Sequence, residues 1–207
     1  MQKIKVIGVG PGSPSYITRE ALEAIAKAGL LIGGKRHLES FALNGQDTFV
    51  LSNNLEEVTQ VIKSRFAEGV AVLATGDPGM YGVLNYLVGK FNPDKIEVIP
   101  GISSIQLAFA RICLPWHDAV TLSAHGRPAD SIKAIVENSQ KAAVLTGPDN
   151  SPEKIYDMIN TVNSGKIIYL CFDLSLPSEE IVKLNTGDVY PKELKGRYNC
   201  VMVITNE

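Results

Sequence analysis

Three short segments of the 207-residue chain carry residue types suited to holding a ligand through backbone contacts. They are Gly8-Val9-Gly10-Pro11-Gly12-Ser13, Thr75-Gly76-Asp77-Pro78-Gly79-Met80 and Pro100-Gly101-Ile102-Ser103-Ser104. Glycine lets amides and carbonyls approach a bound molecule with no Cβ in the way, and proline fixes the turn beforehand. A single loop of this kind is an ordinary connector. Three of them in register, with Asp77 and the Ser103-Ser104 pair among them, point to a nucleotide-like ligand. The bland alternative for Asp77 is a turn former that bonds its own backbone, since Asp-Pro is also a turn signal.

Other polar residues stand where a ligand could be met. Lys35, Arg36 and His37 follow the apolar run Leu30 to Ile32, and His125 and Arg127 follow Leu122-Ser123-Ala124. Both groups offer hydrogen-bond donors for an anionic ligand, with a solvated surface as the alternative. Thr146-Gly147-Pro148 follows another apolar run and reads either as a ligand-closing loop or as a plain strand-to-helix turn. His117, in Pro115-Trp116-His117, reads as structural. Two familiar phosphate signatures fail. Gly8 to Ser13 starts like a dinucleotide fingerprint, but Ser13 takes the place of its third glycine and no acidic residue ends the Leu30–Ile32 run. Gly29 to Lys35 matches G-x-x-x-x-G-K, yet Arg36 stands where a magnesium-binding Ser or Thr belongs. Cys113, Cys171 and Cys200 form no C-x-x-C pair, so reduced structural thiols and no metal are expected.

The elements that must position these residues alternate between short apolar runs and segments of helical period, the pattern of an α/β protein. Strands are predicted over 4–9, 70–74, 96–99, 119–123, 142–145, 166–172, 180–184 and 200–205. Helices are predicted over 19–28, 55–66 and 103–112, and after Ser151-Pro152. Thr18 is the expected N-cap of the first helix, with Leu22, Ile25 and Ala26 on its inner face. In a parallel sheet, the three Gly/Pro loops would all emerge at the carboxyl edge, where open α/β folds bind their ligands. The proline break at Leu114-Pro115 marks the expected boundary between an N-terminal domain, 1–114, and a C-terminal domain, 115–207. The consecutive strands at the end predict a mixed C-terminal sheet beside a mainly parallel N-terminal one.

Composition narrows the function classes. The chain is 45% hydrophobic and 20% charged, enough to bury a sizeable core. Its 20 Lys+Arg against 22 Asp+Glu give a formal charge of −2, with no broad positive field to draw it onto nucleic acid. No signal-peptide pattern opens the sequence, and no run approaches the roughly 18 apolar residues of a membrane helix. A cytoplasmic protein without membrane or nucleic-acid partners is expected.

In order and spacing, Gly8-Val9-Gly10-Pro11-Gly12, Thr75-Gly76-Asp77-Pro78 and Pro100-Gly101-Ile102-Ser103-Ser104 resemble the motifs of the tetrapyrrole (corrin and porphyrin) methylase family over essentially the whole chain. The resemblance implies two α/β domains with S-adenosylmethionine in the cleft between them, usually in a homodimer. It puts Pro11, Asp77 and Ser104 on cofactor-contacting loops, with Gly76, Gly79, Met80 and Ser103 beside them. Thr146 and Gly147 would close over the cofactor from the second domain. Within the family, Leu30-Leu31-Ile32-Gly33-Gly34-Lys35-Arg36-His37-Leu38 and Leu122-Ser123-Ala124-His125-Gly126-Arg127 resemble the branch that methylates C-5 of precorrin-7 or its cobalt form. That substrate is a polycarboxylated macrocycle, for which Lys35, Arg36, His125 and Arg127 are candidate donors. His125 is a candidate base by side-chain type alone. This branch is often fused to a decarboxylating C-15 methylase, for which 207 residues leave no room. A separate partner protein is therefore expected. Methylation of another ring carbon and a non-catalytic nucleotide-binding module remain as alternatives.

Overall fold

Five of the apolar runs, β1 (Ile4–Gly8), β2 (Leu30–Gly33), β3 (Asp47–Val50), β4 (Val70–Ala74) and β5 (Ile96–Ile99), pair in parallel in the order β3-β2-β4-β1-β5. The computed structural model describes residues 2–125, 132–160 and 165–206. Parallel strands covered on both faces are apolar on both, and β1, β2 and β4 contain almost nothing else. Ile7, Leu31 and Leu73 pack one face against α1 (Arg19–Ala26) and α2 (Lys35–Phe41). Ile4, Val6, Ile32 and Val72 pack the other against α3 (Leu55–Arg65) and α4 (Leu84–Val88). These elements form one compact unit, Met1–Ser103.

Thr18 caps α1 as expected, its hydroxyl accepting from Ala21 N at 3.1 Å. The buried face of α1 differs from the expected one. Ala21, Ala24 and Ile25 are buried, whereas Leu22 is 48% exposed and Ala26 lies outside the core. Two alanines let the helix backbone sit close to the sheet, and the larger Leu22 is left outward. The near-match at Gly29 to Lys35 encloses β2, a buried strand, where a phosphate cradle would need a loop.

The second unit, Ser104–Glu207, holds α5 (Ser104–Arg111), β6 (Val120–Ser123), α6 (Ile132–Asn138), β7 (Lys141–Leu145), α7 (Pro152–Asn160), β8 (Ile167–Phe172), β9 (Glu180–Asn185) and β10 (Cys200–Thr205). Its sheet runs β6-β7-β10-β8-β9, with β6 and β7 parallel and the remaining pairs antiparallel. The mixed sheet is thus as expected. One face packs Val144, Ile168, Leu170 and Met202 against Ile132 and Val136 of α6 and Ile155, Tyr156 and Ile159 of α7. Helix α5 lies against β10, so it belongs with the second sheet. The turn that follows it is pinned by Lys141, whose buried ammonium donates to Pro115 O and to Asp118 Oδ1, both at 2.9 Å. Cys171 and Cys200 are buried and Cys113 is exposed, all as free thiols; burial pushes the Cys171 thiol up to about 12, away from reactivity. No described helix is long and apolar enough to cross a membrane.

The carboxyl edge of the parallel sheet is closed by main chain against main chain. A Cβ on Gly101 would lie 2.3 Å from Gly76 O and 2.8 Å from Gly8 C, and one on Gly8 would lie 2.6 Å from Gly101 N. No side chain fits between the ends of β1, β4 and β5. Gly101→Ala is expected to destabilise the protein by about 2 kcal/mol or more through overpacking against backbone. Gly89→Ala, where the nearest atom would be 3.4 Å away, is expected to stay within about 0.5 kcal/mol. Urea unfolding of the two variants measures the difference.

Candidate functional site

The loops after β1, β4 and β5 meet at this edge because those three strands are neighbours in the sheet. Gly10 and Gly76 bridge the first two loops, with Gly76 N donating to Gly10 O at 2.8 Å and Gly10 N to Gly76 O at 3.4 Å. Gly76 sits at φ +67°, in the left-handed region, and its Cα faces Ser103 of the third loop. Pro11 and Ser103 are buried in the seam. Gly79 and Met80 follow on a tight turn in which Met80 N donates to Asp77 O at 3.1 Å. Ser104 opens α5.

Asp77 joins two of the loops. Its Oδ1 accepts from Gly79 N at 2.8 Å, which makes the local Asp turn, and its Oδ2 accepts from Gly101 N at 3.1 Å, which ties in the loop after β5. The turn-forming role therefore operates, and a cross-loop clamp comes with it. A carboxylate offers about four lone-pair sites, so acceptor capacity remains on both oxygens for a ligand. The edge as a whole presents glycine backbone, two buried rigid positions and one anionic group. It suits a polar ligand with hydroxyl or cationic groups, and no Lys or Arg lies in the three loops themselves.

Lys35 and Arg36 stand in the first turn of α2, both exposed, at the end of β2 on the same sheet edge. Lys35 makes a loose pair with Glu39 at 3.9 Å. His37, beside them, turns inward. Its Nε2 lies 3.1 Å from Thr75 Oγ1, the first residue of the loop after β4, and its Nδ1 is buried with no hydrogen-bond partner among the described residues. Burial first, and the Arg36 charge second, hold the imidazole below its usual pKa, so it is neutral at pH 7. Thr75 opens one of the three Gly/Pro loops, but its pairing with His37 is not evident in the sequence. The two residues are 38 positions apart, and only the adjacency of β2 and β4 brings them together.

In the second unit, the loops after β6 and β7 also meet. Ala124 N donates to Leu145 O at 2.8 Å, and Asn150 Nδ2 donates to Ala124 O at 3.0 Å. His125 lies against Gly147, where a Cβ would stand 2.7 Å from His125 Nδ1, so a larger residue at this position would displace the imidazole. The Thr146 hydroxyl is directed into the protein, 2.6 Å from Tyr198 O and 2.9 Å from Cys200 O. Thr146 thus fastens the end of β7 to the start of β10. Arg127 lies outside the described residues. Among the described residues, no group of three or more His, Cys, Asp or Glu could hold a metal ion.

Comparison with known proteins accords with this geometry. Residues 3–190 match the family model of tetrapyrrole (corrin/porphyrin) methylases. The cobalt-precorrin-7 C(5)-methyltransferase of Salmonella typhimurium is 32% identical over 179 residues, 86% of this chain and 88% of that protein. The precorrin-6Y C(5,15)-methyltransferase [decarboxylating] of Sinorhizobium sp is 32% identical over 164 residues, 78% of this chain but only 39% of that longer protein. Among solved structures, uroporphyrin-III C-methyl transferase from Thermus thermophilus complexed with S-adenyl homocysteine superposes with a TM-score of 0.79, covering 98% of this chain and 97% of that one at 18% identity. The fold is shared with that enzyme. With the model matched across most of its length, the chain belongs to the tetrapyrrole (corrin/porphyrin) methylases.

Proposed function

We propose that this protein is the S-adenosylmethionine-dependent C-5 methyltransferase of cobalt-precorrin-7 in cobalamin biosynthesis. The observation that carries this reading is the near full-length similarity to the Salmonella enzyme of that name, in a chain that keeps the family's three Gly/Pro loops at one sheet edge. The cofactor, when bound, supplies an electrophilic methyl on a cationic sulfur. The residues of the carboxyl edge fit such a group. Glycine at Gly10, Gly76 and Gly101 lets the three loops close on one another through backbone, and Asp77 offers the one carboxylate of the loops to hydroxyl or cationic groups.

The chemistry the cofactor would supply is in-line methyl donation from sulfur to a ring carbon, and the proton that the methylated macrocycle gives up would need an acceptor, for which His125 is proposed by side-chain type. No covalent enzyme intermediate is needed. The protein's task is alignment, which contributes about 7–11 kcal/mol of barrier reduction in favourable cases. Loops locked backbone to backbone, with Asp77 joining two of them, give the rigidity that alignment requires. Lys35 and Arg36, exposed at the same edge, are proposed to meet the macrocycle's carboxylates, with His125 and Arg127 as further donors. The working form is proposed to be a cytoplasmic homodimer, acting before or after a separate decarboxylating C-15 methylase.

Incubation with cobalt-precorrin-7 and methyl-labelled S-adenosylmethionine is expected to place label on C-5. Tight cofactor binding without label at C-5 would move the assignment to another ring carbon, and absence of cofactor binding in calorimetry would end it. Asp77→Asn sets an amide N–H against the N–H of Gly79 or Gly101. It is expected to weaken S-adenosylhomocysteine binding about 10- to 100-fold, the value of one or two charge-assisted hydrogen bonds, in the same titration.

A further inference from the structure

His37 and Thr75 form a polar pair at the site edge that the alignment of cofactor and ring does not by itself require. Thr75 is exposed, directly follows β4, and opens the loop that carries Asp77. Behind it stands the imidazole, 3.1 Å away through Nε2. Building on the methylase reading, we infer that Thr75 is a specificity-determining hydrogen-bond donor to a ligand carboxylate, with its hydroxyl proton aimed outward by His37.

The direction of the proton follows from the burial of the ring. A neutral imidazole carries one N–H. On Nδ1 that N–H would be buried with no acceptor among the described residues, whereas on Nε2 it finds Thr75 Oγ1 and leaves only a bare lone pair at Nδ1. Orphaned buried N–H groups are the rarer and less tolerated of the two. Nε2–H therefore donates to Thr75 Oγ1. A hydroxyl that accepts from behind keeps its own proton for a partner on the exposed side. Arg36 adds a second donor, since its guanidinium is exposed and makes no ion pair with any described residue, while its charge is close enough to His37 to disfavour protonation there. An outward-pointing hydroxyl donates to a carboxylate oxygen, and a nearby guanidinium charge favours such an anion. Two ligands of the proposed reaction carry one: the macrocycle on its side chains and the cofactor on its amino-acid end.

Thr75→Val, Thr75→Ser, His37→Phe and His37→Gln test this through three readouts: KM and kcat for cobalt-precorrin-7, the Kd of S-adenosylhomocysteine by calorimetry, and the ring tautomer of His37 by nitrogen-15 NMR. Thr75→Val is expected to raise one of the two binding parameters by about tenfold with kcat little changed. The parameter that moves identifies whose carboxylate is bound. Thr75→Ser and His37→Gln, which keep the hydroxyl and the rearward N–H, should stay near wild type. His37→Phe should reproduce the Thr75→Val loss on the same ligand, and the double variant should be no worse than either. A proton found on Nδ1, or both binding parameters within about twofold of wild type in Thr75→Val, overturns the assignment. If the wild-type protein binds S-adenosylhomocysteine but does not turn over cobalt-precorrin-7, the proposed substrate is wrong. The position of the His37 proton then decides the role of Thr75 by itself.

Discussion

The contact between the backbones of Gly8, Gly76 and Gly101 is the constraint on which the rest of the candidate site depends. Three adjacent parallel strands end together there; Gly8 and Gly101 have no room for a Cβ, and Gly76 turns the chain through a φ of +67°. Because side chains cannot mediate the seam, it is held by peptide groups, by the Gly10–Gly76 bridge, and by the one carboxylate that reaches two backbone amides. Loops built this way have few alternative arrangements. That matches a reaction whose main demand on the protein is geometric.

Much of this edge was legible in the sequence, and the reason is local. Gly-Pro-Gly, Gly-Asp-Pro-Gly and Pro-Gly each follow an apolar run short enough to be a buried strand, so both the strands and their shared ligand-facing end can be read without knowing the strand order. The mixed character of the second sheet was legible for a similar reason: consecutive strands at the end leave no helix to cross over. Strand β3 is not legible because it is mostly exposed and has no apolar run, and helices α2, α4 and α6 are not legible because they span two turns or fewer, too short for an apolar stripe to repeat.

Side-chain partnerships were the illegible part. Asp77 could be recognised as a turn former from its own neighbours, but its bond to Gly101 depends on β1 separating β4 from β5 in the sheet. Thr146 reads as part of a ligand-closing loop or a plain turn, and neither reading shows that its hydroxyl meets carbonyls more than 50 residues away, at and just before the start of a strand that sequence alone does not put next to β7. Leu22 misled for the opposite reason. Hydrophobicity alone puts leucine ahead of alanine at an inner face, whereas the face of α1 that is buried carries Ala21, Ala24 and Ile25 and leaves Leu22 outside.

Strand β10 carries a consequence for how the second unit is made. It lies in the middle of its sheet, between β7 and β8, although residues 200–205 come after every other strand in the chain. Until they leave the ribosome, β7 and β8 each expose an unpaired inner edge, and the apolar side chains of Val144, Ile168 and Leu170 have no Met202 to pack against. The parallel sheet, by contrast, is complete once β5 has emerged. Assembly during synthesis is therefore ordered: the glycine-edged unit can form first, while the other waits for its central strand and is the part open to misassociation on the way.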